Sequence, residues 1–205
     1  MTNNLNLKAR ATKIVVATRN PGKLREFCAL LAPAGWQVVG LTEAAIEGDI
    51  AETGSSFAGN ARLKALGYSA RTELPVLGDD SGLEVFALGG KPGVRSARYA
   101  GADASDADRV RKLLRELELH RENREARFLC ALALAQQGEI VCEAEGECRG
   151  EIAASPRGTL GFGYDPVFLV PGLGLTFAEL ENAEKNRISH RARAVAALLA
   201  RLGCR

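Results

Sequence analysis

The chain has 205 residues, 46% of them hydrophobic and 25% charged, and its 27 basic residues nearly balance 25 acidic ones for a net charge of +2. That supplies apolar surface for one sizeable core, or a core with a smaller lobe, and excludes a chain disordered beyond its ends. The balanced charge excludes the broad basic field that grips long nucleic acid, so any phosphate recognition has to be local.

The opening segment, 1–12, lacks the apolar stretch of a signal peptide and is expected to be a loose tail. Residues 13–18 (KIVVAT) form a β-branched run, the mark of a strand buried on both faces. The turn Arg19-Asn20-Pro21-Gly22 interrupts it, and Leu24, Phe27, Leu30 and Leu31 then follow at helical spacing. A second strand is predicted over 36–41, a helix within 53–70 and a strand over 75–77 that runs into a turn at 78–82. Residues 83–86 alternate like a further strand. From Gly89 to about Ala104 the chain reads as a long irregular loop, which in a compact domain is usually functional. Ser105 suits an N-cap, with Asp106 and Asp108 at the positive end of a helix reaching about Leu119. Paired strands are predicted over 127–135 and 139–147, with another at 151–155. A glycine-rich turn at 160–164, an apolar stretch at 167–170 and a closing helix over 184–202 complete the chain. The pattern is α/β with a mixed sheet. No apolar run nears the roughly 20 residues of a membrane span, so no membrane partner is expected. Cys28, Cys130, Cys142, Cys148 and Cys204 are odd in number and form no C-x-x-C pair. That argues for reduced thiols in a cytoplasmic protein rather than a disulfide or zinc framework.

Five segments carry chemistry. Thr18, Asn20 and Lys23 lie in a strand–turn–helix, where unpaired backbone N–H groups and the helix dipole favour anions. The spacing is not that of a Walker motif. Asp79 and Asp80, adjacent after a buried strand, face different ways, so one suits a metal while the other anchors the loop. Glu47, Asp49 and Glu52 are candidates to complete that metal site. In 158–166, glycines permit close approach to a ligand, Phe162 or Tyr164 suits stacking on a base, and Asp165 suits a ring N–H or an anchoring role. Lys185, His190 and Arg191 suit a base and phosphates. His120 lies in a polar segment and is given no role. Read singly, each segment also fits an ordinary turn or a solvated charged face.

Their order is more specific. The segments VVATRNPGK (15–23), ETGSSFAGNARLKA (52–65), LGDDSGLEV (77–85), GGKPGVRSARYAG (89–101), GTLGFGYDPVF (158–168) and AEKNRISHRARA (183–194) resemble the inosine triphosphate pyrophosphatase family along nearly the whole chain. The resemblance implies a two-lobed α/β fold over 13–205, with an elongated mixed sheet and the substrate cleft between lobes. It implies a homodimer that uses Mg2+ to hydrolyse purine nucleoside triphosphates such as ITP, dITP and XTP to the monophosphate and pyrophosphate. Glu52 and Asp80 then look like the metal ligands and Asp80 like the general base. Thr18, Arg19, Asn20, Lys23, Ser81, Phe162, Gly163, Tyr164, Asp165, Lys185, His190 and Arg191 look like the substrate contacts. Two departures stand out. Arg19 occupies a position where many relatives carry a small residue, and Ala51 one where some have a second acid. The GFGYDP and ISHR segments argue against the related Maf-like nucleotide pyrophosphatases, and the acidic pair beside Glu52 argues against a binding module without turnover.

Overall fold

The structure, a computed structural model, describes residues 12–120 and 122–204. The tail expected over 1–12 lies outside the described residues, apart from Thr12, which opens the first strand. A six-stranded mixed sheet runs through the chain in the order β2-β1-β3-β4-β5-β6. β1 (Thr12–Ala17) lies parallel to β2 (Trp36–Gly40) on one side and to β3 (Val76–Val85) on the other. β4 (Glu125–Gln136), β5 (Glu139–Ile152) and β6 (Phe168–Leu169) continue antiparallel. Ile14, Val15 and Val16 are 0% exposed, as an unbroken apolar strand covered on both faces requires.

Helices α1 (Pro21–Leu31), α2 (Phe57–Ser69) and α3 (Asp106–Glu116) follow their sequence signals, and α4 (Asn182–Ile188) and α5 (His190–Arg201) close the chain. Asn20 caps α1 ahead of Pro21, Ser56 caps α2, and Ser105 forms a capping box with Asp108 on α3. The side of α2 that is buried carries Asn60 and Lys64 beside Ala61 and Ala65. Buried polar groups need partners, so this helix face announces a site. α2 covers the sheet face that holds Gly78 and Asp80, and α1 and α5 cover the face with Leu77 and Cys130. One core surrounds β1, α1 and α5, and a second joins β3, α3, Phe128, Tyr164 and Phe168.

Three expectations change. The turn predicted at 78–82 does not form. β3 runs unbroken through Gly78-Asp79-Asp80-Ser81-Gly82 because each of these residues pairs with β4 from Ala133 to Leu129. The closing helix is two helices, broken at Ser189, whose backbone is extended (ψ 159°) and whose hydroxyl accepts from Ala192 N to cap α5. The segments 139–147 and 151–152 belong to one long strand, β5. Smaller shifts follow the caps: α2 begins after Ser56, and α3 ends at Glu116 with a 3₁₀ turn over Leu117–His120. Within the loop after Gly89, residues Gly93–Arg98 wind into a 3₁₀ turn.

Gly146 of β5 lies directly under α5, where an added Cβ would collide with the Ala194 nitrogen and the His190 carbonyl. These are backbone atoms, so the helix would have to move. Gly146→Ala should therefore destabilise the protein by about 1–3 kcal/mol, read as a lower midpoint in urea unfolding. It should also disturb His190 and Arg191, which open the displaced helix.

Candidate active site

The register of the sheet creates the site. Ala17 pairs with Gly78, and β1 ends there while β3 continues. Asp79, Asp80 and Ser81 therefore project beside the turn that follows β1. Strand alternation sends adjacent carboxylates to opposite faces. Asp79 goes toward α1, where the Lys23 ammonium donates to it at 2.6 Å. It also accepts from the Ser81 hydroxyl at 3.0 Å and the Cys130 thiol at 3.3 Å. Burial works against its charge, but Lys23 and Arg191 outweigh burial and hold its carboxyl far below the usual carboxylate range. Asp80 goes toward α2. Its carboxylate accepts from Asn60 Nδ2 at 2.9 Å and lies 3.5 Å from Lys64 Nζ. Here burial prevails over Lys64 and Asn60, so the Asp80 carboxyl is raised.

Lys64 joins the two carboxylates expected to share a metal. Its ammonium donates to Glu52 Oε1 at 2.9 Å while it faces Asp80, and Arg98 NH2 stands 3.7 Å from the other Glu52 oxygen. Asp49 lines the same cavity, whereas Glu47 is not among its lining residues. Arg71 takes the Glu47 carbonyl at 2.6 Å, and Asp49 accepts from Arg19 Nε at 2.7 Å. Arg19 also donates to the Gly48 carbonyl at 2.9 Å, so it ties the turn to the 47–50 wall of the cleft. In the sequence, Lys64 and Asn60 carry no role beyond their place in the segment 52–65. The signal available was their place among the small apolar residues of a helix that buries both.

The turn after β1 is less open than its sequence implies. Asn20 Oδ1 accepts from Gly22 N at 2.8 Å and Lys23 N at 3.0 Å, so the cap takes two of the N–H groups expected to meet an anion. Thr18 Oγ1 accepts from Asn20 N at 3.1 Å. The Lys23 ammonium, the Thr18 hydroxyl and the Asn20 amide are the polar groups that this turn brings to the cavity wall. Gly22 lies against the ring of Phe162, which occupies the space a Cβ would need.

A chain of buried ion pairs leads from there to the aromatic corner. Arg191 donates to Ser81 Oγ at 2.9 Å and to Glu26. Lys185 pairs with Glu26 at 2.8 Å and donates to Asp165, whose carboxylate accepts from Phe162 N at 2.9 Å. Lys185 and Arg191 are each 2% exposed. Both cations also lie near the Phe162 ring, with Lys185 Nζ 4.9 Å from its centroid. Burial would raise the Glu26 carboxyl, but Arg191 and Lys185 overcome it and hold it below the ordinary value. Glu26 carried no sequence signal beyond being a buried-side acid in α1. His190 stacks on Phe128 with centroids 4.7 Å apart, and its Nδ1 is buried without a partner. Burial, with the charges of Arg191 and Lys185, pushes its pKa well down, so the ring is neutral near pH 7. Tyr164 is buried and its hydroxyl donates to the Ser96 carbonyl at 3.0 Å, so of the two aromatics Phe162 is the one open for stacking.

One cavity of about 520 Å³ runs past these groups, with Phe128 and Tyr164 of the second core in its wall. It brings together Thr18, Arg19, Asn20, Lys23, Glu52, Asp80, Ser81, Phe162, Gly163, Tyr164, Asp165, Lys185, His190 and Arg191. It also takes in Lys64, Asp106 and Arg109. Among the described residues no helix is long and apolar enough to cross a membrane.

A cationic strand–turn–helix facing a buried carboxylate, on a mixed sheet clad by helices, defines the class: an α/β protein whose cavity sets basic groups beside a buried acid. The chain belongs to the Ham1 family, whose model matches residues 14–201. The dITP/XTP pyrophosphatase of Geobacillus kaustophilus is 56% identical over 187 residues, covering 91% of this chain and 92% of that one. That of Bacillus subtilis is 47% identical, covering 88% of this chain and 92% of its own. The solved HAM1 protein of Coxiella burnetii superposes with a TM-score of 0.84 at 44% identity, covering 94% of this chain and 98% of that one.

Removing Glu26 would leave two cations buried with fewer partners. Glu26→Ala should cost about 3–5 kcal/mol of stability, measured by urea unfolding. Because the Glu26 carboxyl is lowered in the folded state, its contribution is complete above the ordinary carboxylate pKa of about 4.3 and is lost as pH falls through the lowered value. The stability gap between parent and Glu26→Gln should therefore shrink on acidification below about pH 4.3; a gap that widens there would contradict the assignment.

Proposed function

We propose that this chain hydrolyses non-standard purine nucleoside triphosphates, ITP, dITP and XTP, to the nucleoside monophosphate and pyrophosphate. The observation that carries the reading is the convergence of Glu52 and Asp80 on one ammonium, Lys64, inside the cavity that also holds Lys23 and Phe162. Membership of the Ham1 family and relatives named dITP/XTP pyrophosphatases at about 50% identity point the same way.

The donor set fits Mg2+. Among the described residues no group of three or more acidic, His or Cys ligands occurs. Magnesium commonly takes one or two carboxylates and fills its remaining positions with water and substrate phosphate. Glu52 and Asp80 would hold it, at a place where this chain keeps a positive charge, Lys64, between the same two side chains. Bound there, the ion would neutralise phosphate charge and ease deprotonation of water.

This chain's own residues do the rest. Asp80, whose carboxyl burial raises, accepts the proton of the attacking water. The attack falls in line at the α-phosphorus, and Lys23 with the Thr18 hydroxyl and Asn20 amide holds the phosphates in place. Ser81 is fixed between Asp79 and Arg191 beside them. Phe162 stacks on the base, and Gly163 bends the corner around it (φ 64°). Asp165 and Tyr164 hold that corner in place. Lys185, His190 and Arg191 supply donors toward the base, where hypoxanthine and xanthine present a 6-oxo acceptor. Adenine presents a 6-amino donor instead and would leave a buried donor unpaired. The same reading includes a cytoplasmic homodimer.

With Mg2+, the protein should release pyrophosphate from ITP, dITP and XTP in preference to ATP, and EDTA should stop it. In heavy-oxygen water the label should enter the monophosphate; label in pyrophosphate would move the attack to another phosphorus. Asp80→Asn should lower kcat by about 10²–10⁴-fold with the fold intact, and near-parental turnover would remove Asp80 from the chemistry.

A further inference from the structure

The first turn of α3 enters the cavity from a segment that no substrate role has reached. Asp106 and Arg109 both line it. One Asp106 oxygen accepts from Gly163 N at 2.7 Å, and the other is paired with the Arg109 guanidinium. The turn is held by the Ser105–Asp108 capping box, so the pair is set on a fixed support. Asp106 thus locks two things together: the backbone of the base corner and the direction of an arginine beside it.

Arg109 has donors to spare. Its side chain is only 17% exposed, and its Nε is shut away from solvent with no acceptor. Arginine carries five N–H donors and no acceptor. A group of that kind, largely desolvated in the cavity wall beside Asp106, favours a carbonyl oxygen on the ligand and disfavours an amino group. Hypoxanthine, xanthine and guanine share the 6-oxo edge and differ at position 2, which carries hydrogen, an oxo group and an amino group respectively. Donors that meet the 6-oxo oxygen therefore cannot separate guanine from xanthine.

We propose that Arg109, aimed by Asp106, is a specificity-determining residue that faces the 2-position of the purine. It donates to the 2-oxo group of xanthine, meets only hydrogen in hypoxanthine, and sets donor against donor when guanine's 2-amino group enters. Size does not provide this discrimination, because the oxo and amino groups are nearly isosteric. The inference rests on the proposed pyrophosphatase activity.

The test compares kcat/KM for XTP, GTP and ITP in the parent, Arg109→Ala and Arg109→Lys, each value referred to ITP on the same variant so that a general loss of activity cancels. In Arg109→Ala the XTP:ITP ratio should fall about tenfold and the GTP:ITP ratio should rise. Arg109→Lys keeps a donor and should retain most of the XTP preference. Ratios that stay within about twofold of the parent, or XTP and GTP moving in the same direction, would overturn the assignment and leave Arg109 a support of α3. Absence of ITP hydrolysis by the parent would instead sink the underlying activity, and that result is read before any variant is compared.

Discussion

Lys185 and Arg191 are held almost entirely out of water, and a charge in that position is tolerable only when carboxylates and hydrogen bonds surround it. Glu26 serves both, Asp165 completes the environment of Lys185, and Ser81 that of Arg191. The result is a continuous line from the Lys23 ammonium through Asp79, Ser81, Arg191, Glu26, Lys185 and Asp165 to the backbone of Phe162. α1, β3, α4, α5 and the aromatic corner each contribute a member. Their relative positions are fixed by charge as much as by the apolar cores, and the cavity is the space they leave.

The two neighbouring acids show how environment divides the labour of like residues. Asp79 faces cations on the α1 side and stays ionised, which makes it an anchor for Lys23 and Ser81. Asp80 faces α2, where burial prevails and its carboxyl is raised, which suits a group that takes up a proton. One residue along a strand is enough to separate these roles, since successive side chains leave opposite faces. Lys64 adds a cation on the Asp80 side and pairs with Glu52 as well.

Much of the fold could be read from the sequence, because the strands and helices carry their own periodicity and caps. Asn20, Ser56 and Ser105 each mark a helix start, and the run Ile14-Val15-Val16 is buried as its composition requires. The failures share a cause. Gly78-Asp79-Asp80-Ser81-Gly82 has turn composition, yet pairing with β4 continues through all five residues and carries the strand on past the end of β1. Ser189 sits inside a helical pattern, but its hydroxyl offers α5 a cap of its own. Residues with a strong motif, such as Asp80 and Phe162, could be assigned to the site before the fold was known. Glu26, Asn60, Lys64 and Arg109 could not, because their significance comes from the partners that folding brings to them.

Gly22 and Phe162 give the cleft a fixed span. The ring rests on the glycine, so the turn proposed for phosphates and the corner proposed for the base touch. A nucleotide is a molecule of set length from base to phosphate, and a contact between the two ends of its site works as a ruler. A bulkier residue at position 22 would push the ends apart and alter the grip on both moieties together. Under this constraint, changes in base preference that move the Phe162 ring carry a matching change in how tightly phosphate is held.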